Sequence, residues 1–151
     1  NIPFEIVPGI TSGIAGPAYA GIPLTHREYS GSVAIVTGHR SKDGTEVIQW
    51  EHIAKGVDTV VIYMGMNSLG YICEQLIKHG RDEQTPVAII HWATTNKQET
   101  VIGTLANIVE KAVKANVANP SIIVVGEVVK LSHTLSWFSH EANDLELSLI
   151  I

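Results

Sequence analysis

The sequence holds a single cysteine, Cys73, in 151 residues. One thiol cannot build an internal disulfide framework or a cysteine-rich zinc module. It points to a reducing compartment, so a cytoplasmic location is expected. Charge is sparse as well. Asp, Glu, Lys and Arg make up 17% of the chain, and 10 basic side chains stand against 15 acidic ones, a formal net charge of -5. Nucleic-acid binders carry a basic excess, so no nucleic-acid partner is expected. Long apolar runs are missing. The strongest, residues 57–66 and 120–129, are interrupted by Asp, Glu or Gly. They fall far short of the ~20 residues of a spanning helix, so no membrane partner is expected. The opening Asn1-Ile2-Pro3-Phe4-Glu5 has no basic n-region and no cleavage pattern. It reads as a strand already under way, which gives the expectation that this chain is a piece of a longer one.

Familiar catalytic motifs are also lacking. There is no Gly-x-Gly-x-x-Gly and no Gly-Lys-Ser/Thr phosphate loop. No Gly-x-Ser-x-Gly elbow supports an esterase-type hydrolase. Seven histidines are present, but none forms a His-x-x-x-His pair with an acidic partner, so no metal is expected. His79 reads as a helix-end cation and His52 as a partly exposed helix residue.

What is present is apolar material, 45% of the chain, arranged in alternating periods. Pro8-Gly9 signals a turn, after which Thr11 or Ser12 can cap a short helix over 13–20. Residues 32–37, 58–63, 86–92 and 121–125 read as buried-type strands. Residues 38–45 read as a polar loop and 47–54 as a short helix. Leu69, Ile72, Cys73, Leu76 and Ile77 recur at i, i+3, i+4, i+7 and i+8 and predict the clearest helix. Asn67 can cap it, and Gly80 suits a left-handed stop. Cys73 falls in that stripe and reads as a small core residue rather than a reactive thiol. Residues 99–103 look like a strand, and Leu105, Ile108, Val109, Ala112 and Val113 like a helix capped by Thr104. Residues 131–138 are ambiguous, and the last dozen read as a loosely held tail.

This alternation predicts an α/β fold, a mixed but mostly parallel sheet with helices on both faces. The strand at 99–103 follows its neighbour too closely for a parallel crossover and is expected to be antiparallel. Strands end at Gly38-His39, Tyr63-Met64-Gly65, Trp92-Ala93-Thr94 and Gly126-Glu127. Ligands of open α/β sheets bind outside such carboxyl ends, and small residues let a ligand approach the backbone. Four such ends favour a ligand cleft. Met64 reads equally as a cleft residue or a gap-filling core residue. The three tryptophans read as core or rim packing. Arg27, in the polar cluster Thr25-His26-Arg27-Glu28, offers a fork for carboxylates, or a salt bridge to Glu28.

Two longer stretches are distinctive. They are Glu5-Ile6-Val7-Pro8-Gly9-Ile10-Thr11-Ser12 and Ala18-Tyr19-Ala20-Gly21-Ile22-Pro23-Leu24-Thr25-His26-Arg27. With Val36-Thr37-Gly38-His39, Ile62-Tyr63-Met64-Gly65, Thr85-Pro86-Val87-Ala88, Val125-Gly126-Glu127-Val128-Val129 and Leu135-Ser136-Trp137-Phe138, in that order, the chain resembles the tetrapyrrole methylases. The resemblance covers residues 1–138. It implies the second of two α/β domains, with 1–10 as the linker or strand leading into it, 139–151 as a tail, and the N-terminal domain missing. It further implies S-adenosylmethionine as cofactor, with S-adenosylhomocysteine as product, held between the two domains. The cofactor contacts it implies are Thr11, Ser12, Met64 and Ala93. Arg27 and His26 would stand on the substrate side. The implied reaction is C-methylation of uroporphyrinogen III to precorrin-2, on the route to sirohaem and cobalamin. It implies a homodimer and a fragment inactive by itself. No residue suggests a catalytic base. Alternatives are a methylase of a later precorrin and a non-catalytic association domain.

Overall fold

The computed structural model describes residues 1–39 and 48–138. Most of the polar loop expected at 38–45, the first residue of the helix expected at 47–54, and the tail from 139 lie outside the described residues. Residues 1–11 are exposed and carry no helix or strand. The strand expected at the start is not formed, because an extended segment without a neighbour has no ladder to complete.

Five β-branched runs form the sheet: β1 (Val33–Thr37), β2 (Thr59–Tyr63), β3 (Pro86–His91), β4 (Glu99–Thr104) and β5 (Ser121–Val125). Their order is β1-β2-β5-β3-β4. The sheet is mixed, as expected, but it is not mostly parallel. Only β1 and β2 pair in parallel; β2–β5, β5–β3 and β3–β4 are antiparallel. The reason is an insertion. β1, β2 and β3 run the same way, but β5 enters between β2 and β3 in the opposite sense. The antiparallel β4 is where the short connection placed it.

Side-chain alternation divides the core into two faces. On one, Val60, Ile62, Val87, Ile89, Ile123 and Val125 meet the apolar stripes of α2 (Trp50–Gly56), α3 (Leu69–Lys78) and α4 (Ile108–Lys114). On the other, Val61, Ala88, Ile90, Ile122 and Val124 meet Ala20 and Ile22 beyond α1 (Ser12–Tyr19) and Val128 and Val129 of a 3₁₀ segment. That 3₁₀ segment spans Glu127–Leu131, and the ambiguous stretch 131–138 resolves into its last residue, a single helical turn, α5 (Ser132–Leu135), and three residues outside helix and strand.

Helix ends explain several departures. In α3, Leu69, Ile72, Cys73 and Leu76 are buried as the periodicity predicts. Its stop is a Schellman turn: Gly80, at φ 102°, donates to the Ile77 carbonyl, and the Arg81 N–H donates to Leu76. Asn67 does not cap it. A 3₁₀ turn, Met66–Ser68, intervenes, and the Asn67 amide oxygen accepts from Asn119 at 3.4 Å. Thr104 does not cap α4 either. The Asn107 side chain accepts from the Thr104 N–H at 2.9 Å, and the helix begins at Ile108. Arg81 then reaches across the end of α2. Its guanidinium donates to the carbonyls of Asp58 (3.0 Å), Ile53 (3.3 Å) and Val57.

Arg81→Met removes three charge-assisted donors from those carbonyls and is expected to cost about 1–3 kcal/mol in urea unfolding. Burial pushes the Cys73 thiol up to about 11. Between its ordinary value and 11 the native state keeps a proton that the unfolded chain releases. Stability therefore falls as pH rises through that window. Cys73→Ala is expected to flatten that part of a pH–stability curve.

Candidate functional site

At the edge where β2 and β3 end and β5 begins, a cavity of about 440 Å³ opens. Its wall includes Ser12 from the start of α1, Tyr63 and Met64 after β2, Trp92 and Ala93 after β3, and Pro120 before β5. Every lining side chain is uncharged. The volume lies in the ordinary range for small-molecule sites.

Two glycines bring α1 to this edge. Gly13 and Gly16 are both buried and lie one helical turn apart. A Cβ at Gly13 would fall 2.7 Å from the Tyr63 ring, and one at Gly16 would fall 3.1 Å from the Cβ of Ala93. With hydrogen in place of the methyl, the helix backbone rests directly on the residues that end β2 and β3. Tyr63 completes the joint. Its phenol oxygen accepts from the Gly13 N–H at 2.5 Å and is hydrogen-bonded to the Thr11 hydroxyl. Burial works to raise the Tyr63 pKa, but the hydrogen bonds from Thr11, Ser12 and Gly13 outweigh it and hold the phenol below its usual value. Thr11 therefore spends its hydroxyl on Tyr63 and does not cap α1.

The β3–β4 connection is fixed from several sides. The Trp92 N–H donates to Pro120 at 3.2 Å, and its carbonyl accepts the Thr95 hydroxyl at 2.7 Å. Gln98, 8% exposed, accepts from the Thr94 N–H at 2.8 Å and donates to the Tyr19 carbonyl at 3.3 Å. His91 Nδ1 lies 3.0 Å from the Ser121 hydroxyl. Three non-glycine residues of this edge hold left-handed backbone: Met64 (φ 52°), Trp92 (φ 47°) and Thr94 (φ 67°). Such conformations are costly for bulky side chains and persist where surrounding bonds enforce them.

Of the residues expected at the site, Ser12, Met64 and Ala93 line the cavity together, and Thr11 is tied to its wall through Tyr63. Met64 is 61% exposed, so it is not a core gap-filler. Arg27 and His26 are not brought here. They belong to a turn closed by His26–Ser30 backbone bonds, and the Ser30 hydroxyl lies 2.7 Å from that of Thr59, where β2 begins. Arg27 is exposed and pairs with neither Glu28 nor any other acid among the described residues. Gly126, expected at the same cleft, lies at that far edge too, 2.7 Å (from an added Cβ) from the Asp58 carbonyl. β5 runs against its neighbours, so its start, not its end, meets the cavity. Gln98 and the segment Asn119-Pro120-Ser121 were not legible as site residues, and Tyr63 was legible only as part of a strand end. The turn signal Asn-Pro before β5 was visible, but its position at this edge depends on strand direction.

The fold and cavity define an open α/β domain with an uncharged cavity at its strand ends. Residues 1–109 match the model of the Tetrapyrrole (Corrin/Porphyrin) Methylases, and the chain belongs to that family. It is 59% identical over 132 residues to a uroporphyrinogen-III C-methyltransferase of Priestia megaterium, covering 87% of this chain and 56% of that relative. A relative of the same description from Bacillus subtilis is 50% identical over 148 residues, 98% of this chain and 58% of its own length. The chain thus spans little more than half of these relatives. A uroporphyrin-III C-methyltransferase of Thermus thermophilus, solved in complex with S-adenosylhomocysteine, superposes with a TM-score of 0.71 at 32% identity, over 86% of this chain and 55% of that one.

The joint between α1 and Tyr63 is open to a double-mutant cycle. Gly13→Ala is expected to cost about 1–3 kcal/mol by overpacking, and Tyr63→Phe about 0.5–1.5 kcal/mol through its lost hydrogen bonds. Because the two residues touch, the double variant is expected to depart from additivity by at least about 0.5 kcal/mol in denaturant unfolding.

Proposed function

We propose that this chain supplies the S-adenosylmethionine-binding second half of an enzyme that C-methylates uroporphyrinogen III to precorrin-2. The observation that carries this reading is the convergence of Ser12, Met64 and Ala93 on one uncharged cavity, with Thr11 held at its wall. A relative at 32% identity has been solved with S-adenosylhomocysteine. The cavity suits such a molecule: mostly apolar walls for a flat base, with hydroxyls and main-chain groups for its polar arms.

The cofactor supplies an electrophilic methyl group on a sulfonium. The chain's own contribution is to bind and orient. Ser12, Ala93 and the strained backbone at Met64 hold the donor in one geometry, and alignment of donor and acceptor lowers the barrier without side-chain acid–base work. Such a donor would give its methyl to a nucleophilic pyrrole carbon and depart as a neutral thioether; the positive charge would pass to the tetrapyrrole and leave it as a proton taken up by water. The lining residues carry no Asp, Glu, Lys, Arg or His, which fits this economy. The substrate is rich in carboxylates, whereas this chain carries a net charge of -5. The basic groups that attract it then belong largely to the first half of the enzyme. Arg27 and His26 stand at the opposite edge of the sheet, so any contact they make with carboxylates is made away from this cavity. Ile2, Phe4, Ile6 and Ile10, 82–89% exposed, offer apolar surface for that first half to cover.

Calorimetric titration with S-adenosylhomocysteine tests the reading, using the chain alone and the chain joined to the first half of a relative. Binding is expected in the joined form at least, and Arg27→Ala is expected to change the Kd less than about two-fold. Absence of binding in both folded forms would overturn the assignment.

A further inference from the structure

We infer that Trp92 is the platform on which the purine of the bound nucleoside stacks. The inference rests on the cofactor reading above and adds the residue that recognises the base.

Trp92 is unusual in three ways at once. Its indole is 45% exposed although it sits at an apolar cavity wall shared with Met64, Ile90, Pro120 and Ile122. Its backbone is left-handed at φ 47°, where glycine would rest without strain. Its main chain is nevertheless pinned on both sides, by Pro120 at the N–H and by Thr95 at the carbonyl. The packing of the core does not require this arrangement, since the side chain is half in solvent. The pinned main chain instead fixes where the side chain leaves the backbone, and the His91 ring, 5.7 Å away, braces it edge-on. A large flat π-face is thereby presented at the mouth of an uncharged pocket. Purines stack on such faces, and removing the face weakens binding by roughly ten-fold or more. The other two tryptophans do not share the site: Trp50 is 4% exposed in the core, and Trp137 packs on Tyr19.

The test uses whichever form of the protein binds S-adenosylhomocysteine by calorimetry. Addition of that ligand is expected to quench tryptophan emission in the wild type and in Trp137→Phe, but not in Trp92→Phe, whose Kd stays within a few-fold. Trp92→Gly separates recognition from folding. It relieves the positive φ, so thermal stability is expected to hold or rise while affinity falls about ten-fold or more. Binding of S-adenosylhomocysteine with unchanged affinity in Trp92→Gly, or with quenching retained in Trp92→Phe, would overturn the stacking role and leave the cofactor reading standing. Failure of every form to bind the ligand would overturn both.

Discussion

The closeness of α1 to the sheet governs the site. A helix normally stands off a sheet by the thickness of its side chains. Here Gly13 and Gly16 remove that thickness, and the helix start sits against Tyr63 and Ala93. Two consequences follow from one contact. The hydroxyls of Thr11 and Ser12 are carried to the strand ends, and a segment from the first residues of the chain becomes part of a wall otherwise built from residues 63–64, 90–95 and 119–122. The Tyr63 phenol locks the joint by satisfying the Gly13 N–H, one of the orphan donors of the helix.

The cavity wall is built from constrained backbone more than from charged side chains. Left-handed conformations at Met64, Trp92 and Thr94 each carry a cost, and those at Trp92 and Thr94 are held by hydrogen bonds to Pro120, Thr95 and Gln98. Gln98 shows how far the bracing extends. From its buried position it ties the Thr94 N–H to the Tyr19 carbonyl, so the end of α1 and the β3–β4 turn are fixed relative to each other. A site that works by alignment needs this kind of rigidity, because a small misplacement costs as much as a lost contact.

The periodicity of the sequence was sufficient for α3 and for the five strands, since buried stripes and β-branched runs are local signals. Strand direction was not local. β5 reads like any other buried run, and nothing within residues 121–125 tells which way it enters the sheet. That single undetermined sign moved Gly126 to the far edge and hid the contribution of Asn119-Pro120-Ser121. Helix caps failed for a related reason. Thr11 and Asn67 are good capping residues by type, yet each is engaged by a group more than fifty positions distant or by a neighbouring segment. The strand ends put Met64 and Ala93 among the residues of a cleft, but Ser12 joined them only through family likeness.

The position of β5 also constrains how the chain can be made. Among the described residues it is the last strand in sequence and the middle one in space. Until it is in place, β1–β2 and β3–β4 are two separate two-stranded ribbons, each with a bare inner edge and too small to be stable alone. During synthesis the apolar edges of β2 and β3 must wait, unpaired, for a strand some sixty residues downstream of the first of them. Exposed edges of that composition invite pairing with other chains. A ribosome carrying this chain thus holds an open sheet until residue 125 has emerged, and that interval is where a nascent-chain chaperone has most to protect.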